Sequence, residues 1–282
     1  MNWFLLSIIS VITLAVANLL QRVLMRDDKS DVFAYSITFQ LTCGFLIAIF
    51  AWVRGFVLPP IQELWPIFSL TMILYAAGTL LLFRALQIVE VSKVTILTSS
   101  RALWTIIIAL IFFGESFNFL KIFGVLLILS SVALISFNQK AFCFNSGVVY
   151  ALGAAFCYGI GFANDTFILR QADAISYAVL SFLLPGLLML LVRPRVVRGL
   201  KSILVPTVLW KMILMGLFYA TSTITIYLAY QTGGTASQLA PINQSVVIFT
   251  VLLAAIFLGE RNQLGKKFIG AMLAVVGVLL LR

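Results

Sequence analysis

Thr95, Thr98, Arg101 and Thr105 lie three, three and four residues apart, so in a helix they form one polar stripe. Trp104 sits a turn from Arg101, with Ser99 and Ser100 alongside. The stretch around them is long and apolar enough for a bilayer, where such a stripe must face protein or water. Arg101 lies roughly eight residues into that stretch, about 12 Å of helical rise and too deep to snorkel easily. A guanidinium at that depth costs about 2.5 to 3.5 kcal/mol on insertion scales, so it needs a partner or a hydrated cavity. Its planar fork suits a carboxylate or phosphate, and Trp104 can stack on an apolar or ring-bearing solute. A fixed interhelical pair or a backbone-carbonyl contact accounts for the same spacing.

Tyr75, Thr79 and Phe83 run i, i+4, i+8, and 144 residues later so do Tyr219, Thr223 and Tyr227, extended by Tyr230. Each set occupies one helix face. Aromatic bodies with polar tips could wall a cavity that closes on a solute yet hydrogen-bonds it; plain core packing gives the same pattern. Asp165 is the acidic residue set well inside an apolar run, on the face of Tyr158, itself a candidate for the binding set. It could be a protonatable coupling group, an interfacial cap, or a partner for Arg170. Asn18, echoed by Asn164, and Asn243 with Gln244 after Pro241 complete the candidates. Interhelical hydrogen bonding is their competing role.

The residues that are missing narrow the chemistry. With no histidine, three scattered cysteines (Cys43, Cys143, Cys157) and nine carboxylates mostly in connections, the chain offers no acid-base constellation, metal cluster or disulfide framework. It carries no glycine-rich phosphate loop. An enzyme, a metal site and an ATP-driven pump are all disfavoured, and no cofactor is expected.

The elements that must hold these residues follow from composition. Of 282 residues, 62% are hydrophobic and 10% charged, with a mean hydropathy of +1.13, far beyond a soluble domain. Ten apolar runs can be drawn, near residues 3–25, 32–53, 64–86, 94–113, 118–137, 147–169, 174–192, 207–230, 236–258 and 264–281, each about the 20 residues a bilayer core requires. The first lacks a charged n-region and a small-residue cleavage site, so it reads as a retained helix. The net charge of +10 comes from basic residues placed singly between runs, which fits membrane topology rather than nucleic acid. The partners expected are lipid and a small solute.

Cut near residue 140, the chain gives two five-span halves, 1–140 and 141–282, that echo each other. Phe112-Phe113-Gly114-Glu115 closes the fourth span and Phe257-Leu258-Gly259-Glu260 the ninth, 145 residues on; Lys121-Ile122-Phe123-Gly124 is answered by Lys267-Phe268-Ile269-Gly270. An odd span number per half makes the halves cross the membrane in opposite senses, the inverted-repeat plan of secondary transporters.

On these features the sequence resembles, over its whole length, the EamA-type members of the drug/metabolite transporter superfamily. The carriers are the two five-span halves, the Gly-Glu endings, Phe83-Arg84-Ala85-Leu86 closing span three, and the glycine-bearing fifth and tenth spans. The resemblance implies an all-α carrier in a cell membrane, expected to be the bacterial inner membrane, working by alternating access around a central cavity lined from both halves. Amino acids or other anionic or zwitterionic solutes are the first expectation for cargo, with a lipid-headgroup flippase or multidrug exporter as alternatives. One departure is visible: many relatives carry proline about thirteen residues before the Gly-Glu glutamate, where this chain has Ala102 and Val247. Helix kinks inferred for relatives are therefore expected to be displaced or missing.

Eleven lysines and arginines fall in the connections after odd-numbered spans against four on the opposite face. The charge rule thus puts both termini outside, whereas the resemblance implies inside. Arg84 is placed to meet Glu90, and Glu115 and Glu260 to bond loops. Gly124, Gly270 and Gly277 suit close helix packing or a homodimer contact, and Trp3, Trp52, Trp65 and Trp210 an interfacial belt.

Overall fold

The computed structural model describes residues 2–25, 31–113, 119–136, 145–169, 171–198, 203, 205–232, 242–243 and 245–280. Among these the chain is helical without strands: α1 (Trp3–Met25), α2 (Val32–Arg54), α3 (Ile61–Ile88), α4 (Val91–Thr98), α5 (Arg101–Phe113), α6 (Phe119–Ser136), α7 (Ser146–Ile168), α8 (Ala174–Val192), α9 (Pro206–Gln231), α10 (Val246–Phe257) and α11 (Leu264–Leu280), with a 3-10 turn at Pro194–Arg198. Each expected span has its helix, the fourth divided into α4 and α5; of the ninth, residues 236–241 and 244 lie outside the described residues. Six of the described helices are long and apolar enough to cross a membrane unaided.

Local chemistry explains the boundaries. Asp31 accepts from the amides of Phe33 and Ala34 to start α2, and 142 residues later Asp173 accepts from Ser176 to start α8, satisfying donors that a helix leaves free. Pro206 opens α9, where its missing N–H costs nothing. The break in the fourth span falls at Ser99 and Ser100. There the amides of Ser100, Ala102 and Leu103 reach back only three residues, to Leu97, Ser99 and Ser100, and the two serine hydroxyls donate to Ile96 and Leu97 carbonyls at 2.6 and 2.7 Å. A kink without proline is thus sealed by side chains, as backbone in lipid must be. The displaced kink expected from Ala102 therefore lies just before it.

The helix packing maps onto itself when the halves are exchanged. α1 lies on α9 as α7 lies on α3; α5 on α7 as α10 on α1; α2 on α9 as α8 on α3; α2 packs on α8 and α6 on α11. With five spans per half, this exchange relates two segments inverted in the membrane. At the centre Phe39, Phe83, Phe182 and Tyr219, from α2, α3, α8 and α9, meet edge to face or tilted at 5.0 to 6.3 Å. The α6–α11 seam is close: a Cβ on Gly277 would lie 2.9 Å from the Gly124 carbonyl, and Ser131 bonds the Gly270 carbonyl at 2.9 Å. These glycines serve packing within the chain. Trp52, Trp65 and Trp210 are exposed near helix ends, in keeping with a belt.

One end of the bundle is pinned by ions. Gly259 takes φ +69°, a left-handed turn that a side chain resists, and it folds Glu260 back so that its amide meets the Ala254 carbonyl at 3.2 Å. The buried Glu260 carboxylate then accepts from Val91 N, Ser92 N and Ser92 Oγ at 3.0, 3.1 and 2.5 Å, capping α4 from the opposite half. Lys267, 1% exposed, donates to the Glu260 carbonyl at 2.9 Å and pairs with Glu90 at 2.9 Å, which also meets Lys93 at 3.2 Å. The expected Arg84–Glu90 contact gives way to this arrangement: Arg84 donates to Gln87 at 2.6 Å. Two cations counted for topology, Lys93 and Lys267, are thereby committed to an ion cluster.

Candidate functional site

Arg101 is the first residue of α5, so the break presents its side chain at the point where the helix direction shifts. Its guanidinium carbon lies 5.9 Å above the Phe162 ring of α7, a cation–π arrangement, and its charge acts on the hydroxyls of Tyr158 and Tyr219. Arg101 is exposed, and among the described residues no carboxylate pairs with it. Tyr158 and Tyr219 both come from the second half, from α7 and α9, whereas Arg101 belongs to the first, so the cation of one half faces tyrosines of the other.

A second pole lies along the same face of α7, three residues and about 4.5 Å of rise beyond Phe162. Asp165 is 7% exposed and accepts hydrogen bonds from Tyr75 of α3 and Tyr177 of α8, one on each oxygen. The Tyr227 hydroxyl acts electrostatically on both tyrosines. Among the described residues no lysine or arginine pairs with Asp165. Arg170 lies outside them, and the cap expected of Asp165 is replaced by this internal tyrosine pair.

Glycines bring the poles together. A Cβ on Gly161 would sit 2.8 Å from the Tyr75 ring, and one on Gly78 3.1 Å from the Tyr158 ring, so each tyrosine lies over the other helix's glycine. Their rings are 6.0 Å apart. Gly159 lets α5 in as closely: a Cβ there would meet the Arg101 carbonyl at 2.5 Å and Trp104 at 2.6 Å. Tyr158 shares a bond with Thr79 at 3.1 Å, and Gln40 of α2 donates to Thr79 at 2.8 Å. A chain of polar groups thus runs from Gln40 through Thr79 and Tyr158 toward Arg101.

The other candidates fall in several places. Trp104 packs edge to face on Phe156 at 4.8 Å. Phe156 and Phe162 sit on opposite flanks of Gly159 by the 100° helical step, so Trp104 is turned from the Arg101–Phe162 contact. Thr98 donates to its own helix at Val94, 2.9 Å, and Thr223 likewise at Tyr219, 3.0 Å. Phe83 is wholly buried against Phe39, a core position. Asn18 reaches Thr250 at 3.3 Å, an interhelical bond. Asn243 lies before α10 with its Oδ1 unpartnered among the described residues. Gln244, Pro241 and Glu115 lie outside them. Two polar residues escaped the sequence reading, Gln40 and Tyr177. The latter had a signal: Asp31 and Tyr35 stand in the same relation as Asp173 and Tyr177, 142 residues apart.

Comparison with known proteins agrees with this architecture. The profile of the EamA-like transporter family matches residues 1–137 and again 145–282. Two repeats of one family unit filling the chain define a membrane transporter of the drug/metabolite type. The chain belongs to the EamA-like transporter family. Among curated proteins none matches. A solved structure described only as "Crystal structure of protein" is similar over 98% of this chain and 93% of its own, with a TM-score of 0.63 and 16% identity, which speaks for the fold alone.

Proposed function

We propose that this protein is a secondary carrier of small anionic or zwitterionic metabolites, amino acids foremost, that works in a bacterial inner membrane by alternating access of its two halves around Arg101. The observation that carries the reading is the placement of Arg101: an exposed guanidinium of the first half, deep in the fourth span and near the second half's Tyr158 and Tyr219, without a carboxylate partner among the described residues. A cation kept at that depth is costly unless a solute anion or water meets it. The fork can take a carboxylate or phosphate by two parallel bonds. The aromatic groups around it suit an apolar or ring-bearing side chain.

The test is thermal unfolding of the detergent-purified wild type and Arg101→Ala with amino acids, nucleotides, sugar phosphates, glycerol-phosphate headgroups and organic cations. A ligand held at a hundredfold its dissociation constant stabilises by about 2.7 kcal/mol. Carboxylate or phosphate compounds should raise the wild-type transition and lose that effect in a variant that still unfolds cooperatively. Stabilisation by headgroup compounds alone points to a flippase. Cations stabilising both proteins equally point to a multidrug exporter and remove Arg101 from the site.

A further inference from the structure

Asp165 serves no part of that anion-binding reading, yet it is the costliest group in its surroundings. A carboxylate 7% exposed inside the bundle must be paired, hydrogen-bonded or protonated. Its surroundings discriminate among ligands. Both oxygens face hydroxyl donors, Tyr75 and Tyr177, and a third tyrosine, Tyr227, stands near these two. A sodium ion needs several oxygen acceptors converging at one point, whereas the two side chains that meet this carboxylate do so as donors. Hydroxyls that point their protons at a carboxylate stabilise its charge and offer a cation little. A proton is the ligand that fits without further room.

The three helices meeting here are closed off by an apolar cluster. Leu64, Phe68 and Met72 of α3 pack with Ile168 of α7 and Tyr177 of α8, the Phe68 and Tyr177 rings 5.8 Å apart. Asp165 and Tyr177 belong to the second family repeat and Tyr75 to the first. The Tyr75–Asp165 bond is therefore a link between the halves, and Tyr177 holds the acid within its own half.

We propose that Asp165 is a proton-binding group whose charge state sets the link between the two halves, with Tyr75 the residue that reads it. The ionised carboxylate accepts from both tyrosines and holds α3 against α7 and α8. Uptake of one proton from water leaves a neutral carboxyl with one O–H donor. The oxygen that carries it must now donate where it had accepted, so the facing tyrosine turns its own hydroxyl away. Release of the proton to water restores both bonds. The groups facing Asp165 are Tyr75 from α3, Tyr177 from α8 and, behind these two, Tyr227 from α9; Arg101 of α5 and Tyr158 of α7 form the neighbouring pole. This inference rests on the carrier reading for its use but not for its test.

The test is an infrared pH-difference spectrum of the protein reconstituted in vesicles without any cargo, for wild type, Asp165→Asn and Tyr75→Phe. Wild type should give a protonated-carboxyl band that rises on acidification together with a tyrosine band. Asp165→Asn should lose both, and Tyr75→Phe should keep the carboxyl band while losing part of the tyrosine signal. A carboxyl band unchanged in Asp165→Asn overturns the assignment, as does a tyrosine signal unaffected in Tyr75→Phe. Circular dichroism establishes that each variant is folded. Asp165→Glu, which keeps the acid, should restore a titrating band if Asn fails to fold. A vesicle assay adds the link to transport. Under an imposed pH gradient, wild type should accumulate labelled phenylalanine, and Asp165→Asn should exchange it without accumulation. If no phenylalanine moves while the infrared bands depend on Asp165, the cargo reading fails and the proton site stands.

Discussion

Ser245 donates its hydroxyl to the Ile242 carbonyl at 2.5 Å, the bond Ser100 makes to Leu97 at 2.7 Å, and the two serines lie 145 residues apart. Their amides repeat the match, reaching Ile242 and Leu97 at 3.1 and 3.2 Å. α10 accordingly begins at Val246 as α5 begins at Arg101. The two helix starts therefore match, and where α5 begins with Arg101, α10 begins with the uncharged Val246. Removing a hydroxyl that seals a freed carbonyl costs about 1 kcal/mol. Ser100→Ala and Ser245→Ala should each lower stability by that amount, and the double variant by the sum, because the sites share no partner. Thermal unfolding in detergent measures this, and a single variant without effect means that the backbone alone closes the kink.

Gly159 sets how near α5 can come to α7. Its substitution by alanine puts a methyl group 2.5 Å from the Arg101 carbonyl, and backbone cannot yield as a side-chain tip does. Gly159→Ala should cost about 1 to 3 kcal/mol and blunt the stabilisation that anionic ligands give the wild type. Gly265→Ala is the control, since its Cβ would meet nothing within 4 Å.

The spans were legible because hydropathy follows a bilayer's thickness, and the halves because their helix ends recur, Gly114-Glu115 with Gly259-Glu260. The stripe through Arg101 was drawn on one helix, but its residues divide between α4 and α5; the kink that parts them was not legible, since serine carries no obligatory break as proline does. Pairings between distant helices were the least legible. Arg84 and Glu90 are neighbours in sequence, yet Lys267 from the last helix takes Glu90, and nothing local announces that. Tyr177 reaches Asp165 only because the α7–α8 turn folds them together.

Glu260 holds the start of α4 from the other half. Glu260→Ala strands Val91 N, Ser92 N and Ser92 Oγ, all buried, and should cost about 2 to 3 kcal/mol. Glu260→Gln keeps one acceptor and should lose less. Unfolding of the three proteins side by side ranks them, and equal losses for Ala and Gln would show that the charge, rather than the acceptor geometry, secures the cap.

Glu90 gives this end of the bundle a dependence on acid. Burial pushes its carboxyl up, but Lys267 and Lys93 outweigh that and hold it below the ordinary glutamate value of 4.5. A group whose folded value is depressed binds its proton less readily when folded, so it favours folding wherever it is ionised. The contribution is complete above pH 4.5 and fades as pH falls through the lowered value. Wild type should therefore lose stability more steeply than Glu90→Gln below that pH, while the offset between them stays constant near neutrality. Because Glu90 is partly exposed, salt should shrink the offset. Melting curves of both proteins across acid pH at low and high salt test this, and parallel curves at every pH would mean that the lysines bind Glu90 no more tightly than water does.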